Sequence, residues 1–266
     1  MNDTDTSSRR SKKKINPVLI TVASLCILFV FFGTILLIAN VSGSEDNVLK
    51  DDSGISFLSS RENLDTSAIE ELFKNARREE MIRKYQSGEI DVWSIYNSEA
   101  VILGDSRAAG FTWVDGLDSN IVCAAVSNTI YNIPDHYDYI ESRNPSMIFI
   151  TYGMNDIGIW NGDLELWTSE LGERVETLRS VAPNATIYMI SVFPVLDSDP
   201  ENYKEIWDTI PEWNEGVEEW CEGVDIKYID LTYVAEEHKD LYAGDGVHFA
   251  TEFYTYWGEE MISYAQ

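Results

Sequence analysis

Cysteine is scarce in this chain and histidine equally so, with three of each in 266 residues. Cys26 falls inside a long apolar run, which leaves Cys123 in a predicted strand and Cys221 near a predicted helix end. No pair has the spacing of a metal knuckle, and no disulfide framework can be drawn, so Cys123 and Cys221 are expected as buried free thiols. Positive charge is the next shortage: 19 Lys and Arg stand against 46 Asp and Glu. The first 44 residues carry a net +3, which leaves −30 on the remainder of a chain whose total is −27. Such a surface repels DNA, RNA and other polyanions, so no nucleic-acid partner is expected. A phosphate-binding glycine loop and metal-ligand spacings are missing too, and neither a metal nor a cofactor is expected.

One long uncharged run does occur. "RRSKKK" (9–14) leads into "VLITVASLCILFVFFGTILLIA" (18–39), enough helix to cross about 30 Å of hydrocarbon. Its basic N-terminal flank orients residues 1–17 as a cytoplasmic tail and places everything after residue 39 outside the cell membrane. A cleaved signal peptide has a shorter apolar region, about 7–15 residues, but the small residues Ser42, Gly43 and Ser44 leave cleavage and secretion open. Cys26 is a poor lipoprotein site, because Leu25 precedes it and the apolar run continues beyond. Residues 40–66 are polar and small and read as a tether. "SAIEELFKNARREEMIRKYQ" (67–86) predicts a helix: Ser67 and Glu70 have capping-box spacing, and Ile69, Leu72, Phe73, Ala76 and Met81 form a partial apolar stripe. The segment 67–89 is a helical stalk or accessory helix, a dimer contact or the first helix of the globular domain. The sequence leaves these open, and the oligomeric state with them.

From about residue 90 the pattern becomes regular. Short apolar runs at 101–103, 121–126, 147–152, 187–193 and 226–231 mostly lack strict alternation, as strands covered on both faces do. Helical or loop stretches separate them. This predicts an α/β domain over 90–266, a parallel sheet with helices on both faces. Ligands of such sheets bind beyond the C-terminal strand ends. "AVILGDSRAAGF" (100–111) puts Ser106 just past the end of the first strand.

A serine hydroxyl is a weak nucleophile and needs a base, usually a histidine oriented by a carboxylate. His136 follows a proline in a predicted loop, and His238 sits among charges as a surface residue. His248, in "AGDGVHFA", has Asp245 three positions earlier across a glycine, so a short turn can aim the carboxylate at one ring nitrogen. The order Ser, Asp, His also occurs in α/β-hydrolases, but their G-x-S-x-G elbow is absent. A tetrahedral intermediate also needs donors for its oxyanion. "ITYGMNDIG" ends the third strand, where Asn155 can present its amide and Gly153 permits a close turn. Asp105 is assigned to the turn, Asp156 to a helix cap, and Trp207, Trp213, Trp220 and Trp257 to packing. Trp160 is a candidate substrate platform.

"GDS", "GMND" and "DGVH", in this order at two strand ends and before the last helix, resemble blocks I, III and V of the SGNH hydrolase superfamily, the GDSL-type esterases. The resemblance covers residues from about 98 to 266. It implies a three-layer α/β/α, flavodoxin-like parallel sheet, here preceded by one transmembrane helix. It makes Ser106 the nucleophile, His248 the base and Asp245 its orienting acid, with the Ser106 N–H and the Asn155 side chain as oxyanion donors. The family's third donor is a backbone N–H on a glycine after the second strand, and Asn128 in "CAAVSNTI" stands where that glycine is expected. The implied activity is hydrolysis of O-acyl esters, O-acetyl above all, through an acyl-enzyme. The substrate is a small acyl ester or an acylated cell-surface glycan. Two rivals remain: an O-acyltransferase with the same triad and a glycan acceptor, and a glycan-binding protein that keeps the fold without catalysis.

Overall fold

Five apolar runs too short for helices become five parallel strands. The computed structural model describes residues 67–196 and 203–265; the tail 1–17, the run 18–39 and the tether 40–66 lie outside the described residues. Among the described residues no helix is long and apolar enough to cross a membrane. The strands are β1 (Ala100–Gly104), β2 (Val122–Ala124), β3 (Met147–Ile150), β4 (Thr186–Ile190) and β5 (Lys227–Ile229). They lie in the order β2-β1-β3-β4-β5, all parallel, with Ile102 opposite both Val122 and Phe149. This is the flavodoxin-like order, and its switch point lies between β1 and β3.

The helices are α1 (Ser67–Gln86), α2 (Val92–Glu99), α3 (Ser106–Ala109), α4 (Tyr137–Arg143), α5 (Met154–Ile159), α6 (Leu164–Val181), α7 (Ile210–Gly223), α8 (Thr232–Glu237) and α9 (Phe253–Ala265). Alternate residues of β1 explain why the run reads as uniformly apolar. Ala100 and Ile102 join one buried cluster with Tyr96 of α2 and Trp257 and Met261 of α9. Val101 and Leu103 join the other, with Trp167 and Leu171 of α6 and Val217 of α7. Each face of the sheet therefore carries its own apolar layer. In α6, Asp163 caps the first turn by accepting from the Leu166 N–H at 3.1 Å, and Trp167, Leu171, Val175 and Leu178 form the buried face. Trp213 and Trp257 are core residues, while Trp207 and Trp220 are partly buried against the core. Cys123 and Cys221 are buried and unpaired, their thiols pushed up by burial to about 11 and about 12.

Helix α1 divides along its length. Its C-terminal half belongs to the globular body: Tyr85 is buried, Met81 packs on the core, and Arg78 lies 3.8 Å from Glu260 of α9 and over the Tyr264 ring. The apolar residues of its first turns, Ile69, Leu72 and Phe73, are exposed. On the facing helix, Glu259 is only 6% exposed. Burial pushes its carboxyl up to about 7, against a hydrogen bond with Gln86 that lowers it. The folded pKa lies above the unfolded one, so this residue's contribution to stability is full below the unfolded pKa and is lost as pH rises through 7. Glu259→Gln should raise the stability near pH 8 by about 1–3 kcal/mol and flatten the loss between about pH 5 and 8. Thermal melts across that range check it, and an unchanged slope would assign the pH dependence elsewhere.

Candidate active site

The end of β1 is built for close approach. A Cβ on Gly104 would stand 2.1 Å from Thr151 Oγ1 just past the end of β3, and Thr151 itself ties the two strands by donating from its N–H (2.8 Å) and its hydroxyl (3.0 Å) to the Leu103 carbonyl. Asp105, fully buried, accepts the Arg107 N–H at 2.9 Å and so caps α3, the turn role expected of it. Burial pushes its carboxyl up to about 6. Ser106 is the first residue of α3 and thus stands at the mouth of the switch point.

Across that mouth the chain returns with His248. Its Nε2 lies 2.9 Å from Ser106 Oγ, and its Nδ1 lies 2.7 Å from Asp245 Oδ2. The turn that presents the pair is held locally. Asp245 Oδ1 accepts the backbone N–H groups of Val247 and His248, both at 2.9 Å, Gly246 takes φ 67°, and Ala243 N–H donates to the His248 carbonyl at 2.7 Å. Partial burial raises the Asp245 carboxyl, but the hydrogen bonds from the His248 ring and the two amides outweigh it and hold it at about 2. An ionised Asp245 only accepts, so the Nδ1 of His248 is the donor in that contact. Nε2 is then free to accept from the Ser106 hydroxyl.

Asn155 approaches from β3. Gly153 makes this possible with φ 142°, where a Cβ would also stand 2.3 Å from Val192 Cγ2. Asn155 Nδ2 donates to the Asn128 carbonyl at 2.9 Å, which fixes the amide plane and leaves its second N–H as a further donor. Asn128 thus supplies its carbonyl to the Asn155 amide. Its own N–H closes a turn to the Ala125 carbonyl at 3.2 Å, and the left-handed residue is its neighbour Ser127 (φ 65°). Asp156 lies in the first turn of α5, whose N-cap is Gly153, and backbone hydrogen bonds from Gly153 and from its own N–H reach its carboxyl. Buried, it accepts the Ile130 N–H at 3.1 Å and ties the 3-10 turn Ile130–His136 to α5. Trp160 stacks on Tyr131 with centroids 5.5 Å apart and planes at 21°, while the Arg174 guanidinium lies 4.9 Å from the same tyrosine ring.

Of the three histidines the structure brings His248 to Ser106. His136 is half-buried in the turn after β2, and His238 stacks on Tyr256 at 3.8 Å. Among the described residues no group of three or more His, Cys, Asp or Glu is arranged to hold a metal ion. Arg107 escaped the sequence reading. Its one signal is a lone charge in the otherwise small and apolar stretch after Ser106.

With this geometry in place, residues 102–256 match the GDSL-like Lipase/Acylhydrolase family, more than half of the chain. The chain belongs to that family. Its members hydrolyse ester bonds, and this GDSL-family chain is an ester hydrolase. It is similar to a GDSL-like lipase from Bacteroides thetaiotaomicron VPI-5482, with 16% identity and a TM-score of 0.49 over 68% of this chain and 95% of the other. It is also similar to a protein from Streptococcus pneumonia named after platelet activating factor, with 16% identity and a TM-score of 0.50 over 77% of this chain and all of the other. An acetyl xylan esterase shares 14% identity and a TM-score of 0.46 over 62% of this chain and 98% of its own. At these identities the likeness concerns the fold. None of the curated proteins matches the chain.

Proposed function

We propose that this GDSL-family hydrolase removes O-acyl groups, O-acetyl first among them, from cell-surface glycans or related small esters, working outside the membrane that residues 18–39 anchor it to. The observation that carries the chemistry is the unbroken relay Asp245–His248–Ser106, at 2.7 and 2.9 Å. Ser106 Oγ attacks the ester carbonyl while His248 Nε2 takes the hydroxyl proton. The developing oxyanion is met by the Ser106 N–H and the free Asn155 N–H. As the intermediate collapses, the C–O bond to the alcohol breaks and His248 returns the proton to the leaving oxygen. Water then repeats the sequence on the acyl-serine, releasing the acid and restoring Ser106. Asp245 stays ionised throughout and stabilises the imidazolium in each half.

The relay is open to solvent: the side chains of His248 and Asp245 are 43% and 45% exposed. Water therefore has a path to the acyl-enzyme, as hydrolysis requires. The glycan reading rests on the outward placement that the 18–39 run and its basic flank give. Full-length protein in detergent, assayed on chromogenic acetyl and longer acyl esters with and without a glycan acceptor, tests both points. Acetate release that is independent of acceptor supports the hydrolase, and acceptor-dependent acyl transfer replaces it with the transferase. No turnover of any ester would leave a glycan-binding protein. Protease added to wall-stripped cells should digest the domain; full protection reverses the topology.

A further inference from the structure

Arg107 is the residue immediately after Ser106, and it is 3% exposed. A guanidinium removed from water normally meets a carboxylate. Among the described residues Arg107 has no ion-pair partner within 4 Å. Its donors go to three backbone carbonyls instead: Nε to Val247 at 2.8 Å, Nη1 to Phe193 at 2.7 Å and Nη2 to Pro194 at 3.3 Å. The guanidinium carbon also lies 5.6 Å from the centre of the Phe249 ring.

These carbonyls belong to two separate segments. Phe193 and Pro194 follow β4, in a stretch whose neighbour Val192 is pinned at both its N–H (2.8 Å) and its carbonyl (2.9 Å) by Asn214 of α7. Pro194 also accepts from the Tyr242 hydroxyl at 2.7 Å. Val247 lies in the Asp245–His248 turn, one peptide before the base. On its own side, the Arg107 carbonyl accepts from the Tyr254 hydroxyl of α9 at 2.9 Å. One side chain therefore joins the helix that carries the nucleophile, the exit of β4 and the turn that carries the base.

We propose that Arg107 is the positioning residue that sets the Ser106–His248 separation, a buried fork that holds the turn 245–248 against α3 from 140 residues away in sequence. The local bonds within the turn fix Asp245 to His248 but do not fix either to Ser106. A shift of 1 Å between nucleophile and base is costly in rate, so a rigid link one residue from Oγ and one from the imidazole acts where the alignment is made. A planar fork carries its five N–H groups on three separated nitrogens and meets the three carbonyls in fixed directions, whereas an ammonium offers three N–H groups from a single atom.

The clamp rests on the proposed triad, and the test separates the two. Arg107→Lys keeps the charge and loses the fork. It should lower kcat about 10–100-fold with KM within about threefold, and slow fluorophosphonate labelling of Ser106 by a similar factor, well below the melting temperature. A purely structural role would leave the folded fraction turning over at the wild-type kcat, and that result would overturn the clamp. In Arg107→Gly, added guanidinium at millimolar concentration should restore part of kcat; a folded Arg107→Gly at wild-type kcat overturns it equally. Should neither variant fold, Tyr242→Phe removes a second donor from the Pro194 carbonyl. A several-fold lower kcat then supports the clamp and an unchanged one overturns it. Wild-type turnover in Ser106→Ala would remove the triad itself, whereas an inactive Ser106→Ala beside a fully active Arg107→Lys removes only the clamp.

Discussion

Ser106→Ala is expected to lower kcat on an acetyl ester by at least about 10³ with the fold intact, and His248→Ala to do the same. The double variant should be little worse than either. The reason lies in the relay: Oγ is activated only through the 2.9 Å contact with Nε2, so removing either partner removes the same step. Losses that multiply would mean the two side chains act independently. Labelling of full-length protein by a fluorophosphonate, followed by peptide mapping, should place the adduct on Ser106; an adduct elsewhere removes it as nucleophile. The acid side of the pH–rate profile should carry nothing from Asp245, which is held at about 2.

Asn155→Asp is expected to match or exceed Asn155→Ala, whose cost should be about 10²–10³ in kcat, or roughly 3–4 kcal/mol, with little change in KM. An ester carbonyl in the ground state is weakly polar, whereas the tetrahedral oxygen carries nearly a full charge, so a fixed donor favours the transition state. The structure sharpens this expectation. Asn155 already spends one N–H on the Asn128 carbonyl at 2.9 Å, and a carboxylate there faces that oxygen as well as the oxyanion. Two repulsions replace two attractions at almost constant size. Some turnover should return at low pH as the introduced acid is protonated. A folded Asn155→Asp with near-normal kcat would reduce Asn155 to a turn residue.

Strands buried on both faces are legible because every position must be apolar, and β1 and β3 are buried at every residue. The edge strands are shorter than their apolar runs: 121–126 yields Val122–Ala124, and 226–231 yields Lys227–Ile229. Each has a neighbour on one side only, so apolarity there reports burial more than pairing. Ser106 and Asn155 are legible because each follows a strand, and Asp245 and His248 because a carboxylate three residues before a histidine can turn back onto its ring. The structure joins Ser106, His248 and Asp245 in one hydrogen-bonded chain. The bond from the Asn155 amide to the Asn128 carbonyl is not legible, since any residue owns a carbonyl. Arg107 was not, because charge in a sequence suggests solvent and says nothing of three carbonyls waiting inside. Helix α1 was half readable. Its stripe is apolar from Ile69 onward, yet the packing that decides its place begins about two turns later, with Arg78, Met81 and Tyr85.

The acid and base sit three residues apart in one turn, while the nucleophile lies 142 positions earlier. Only one distant alignment has to be found among these three. Ser106 stands in place once β1, β2 and β3 have paired. The turn it needs is seated by Phe249, stacked on Phe253 of α9 at 3.8 Å, and by Phe193 packed edge-on against both rings. Contacts of such long sequence separation close late and slowly in folding. A chain short of α9 would hold the sheet, Ser106 and His248, but not the Phe253 ring on which Phe249 rests. Turnover is therefore expected to depend on the docking of α9, since Phe253 seats the ring that follows His248.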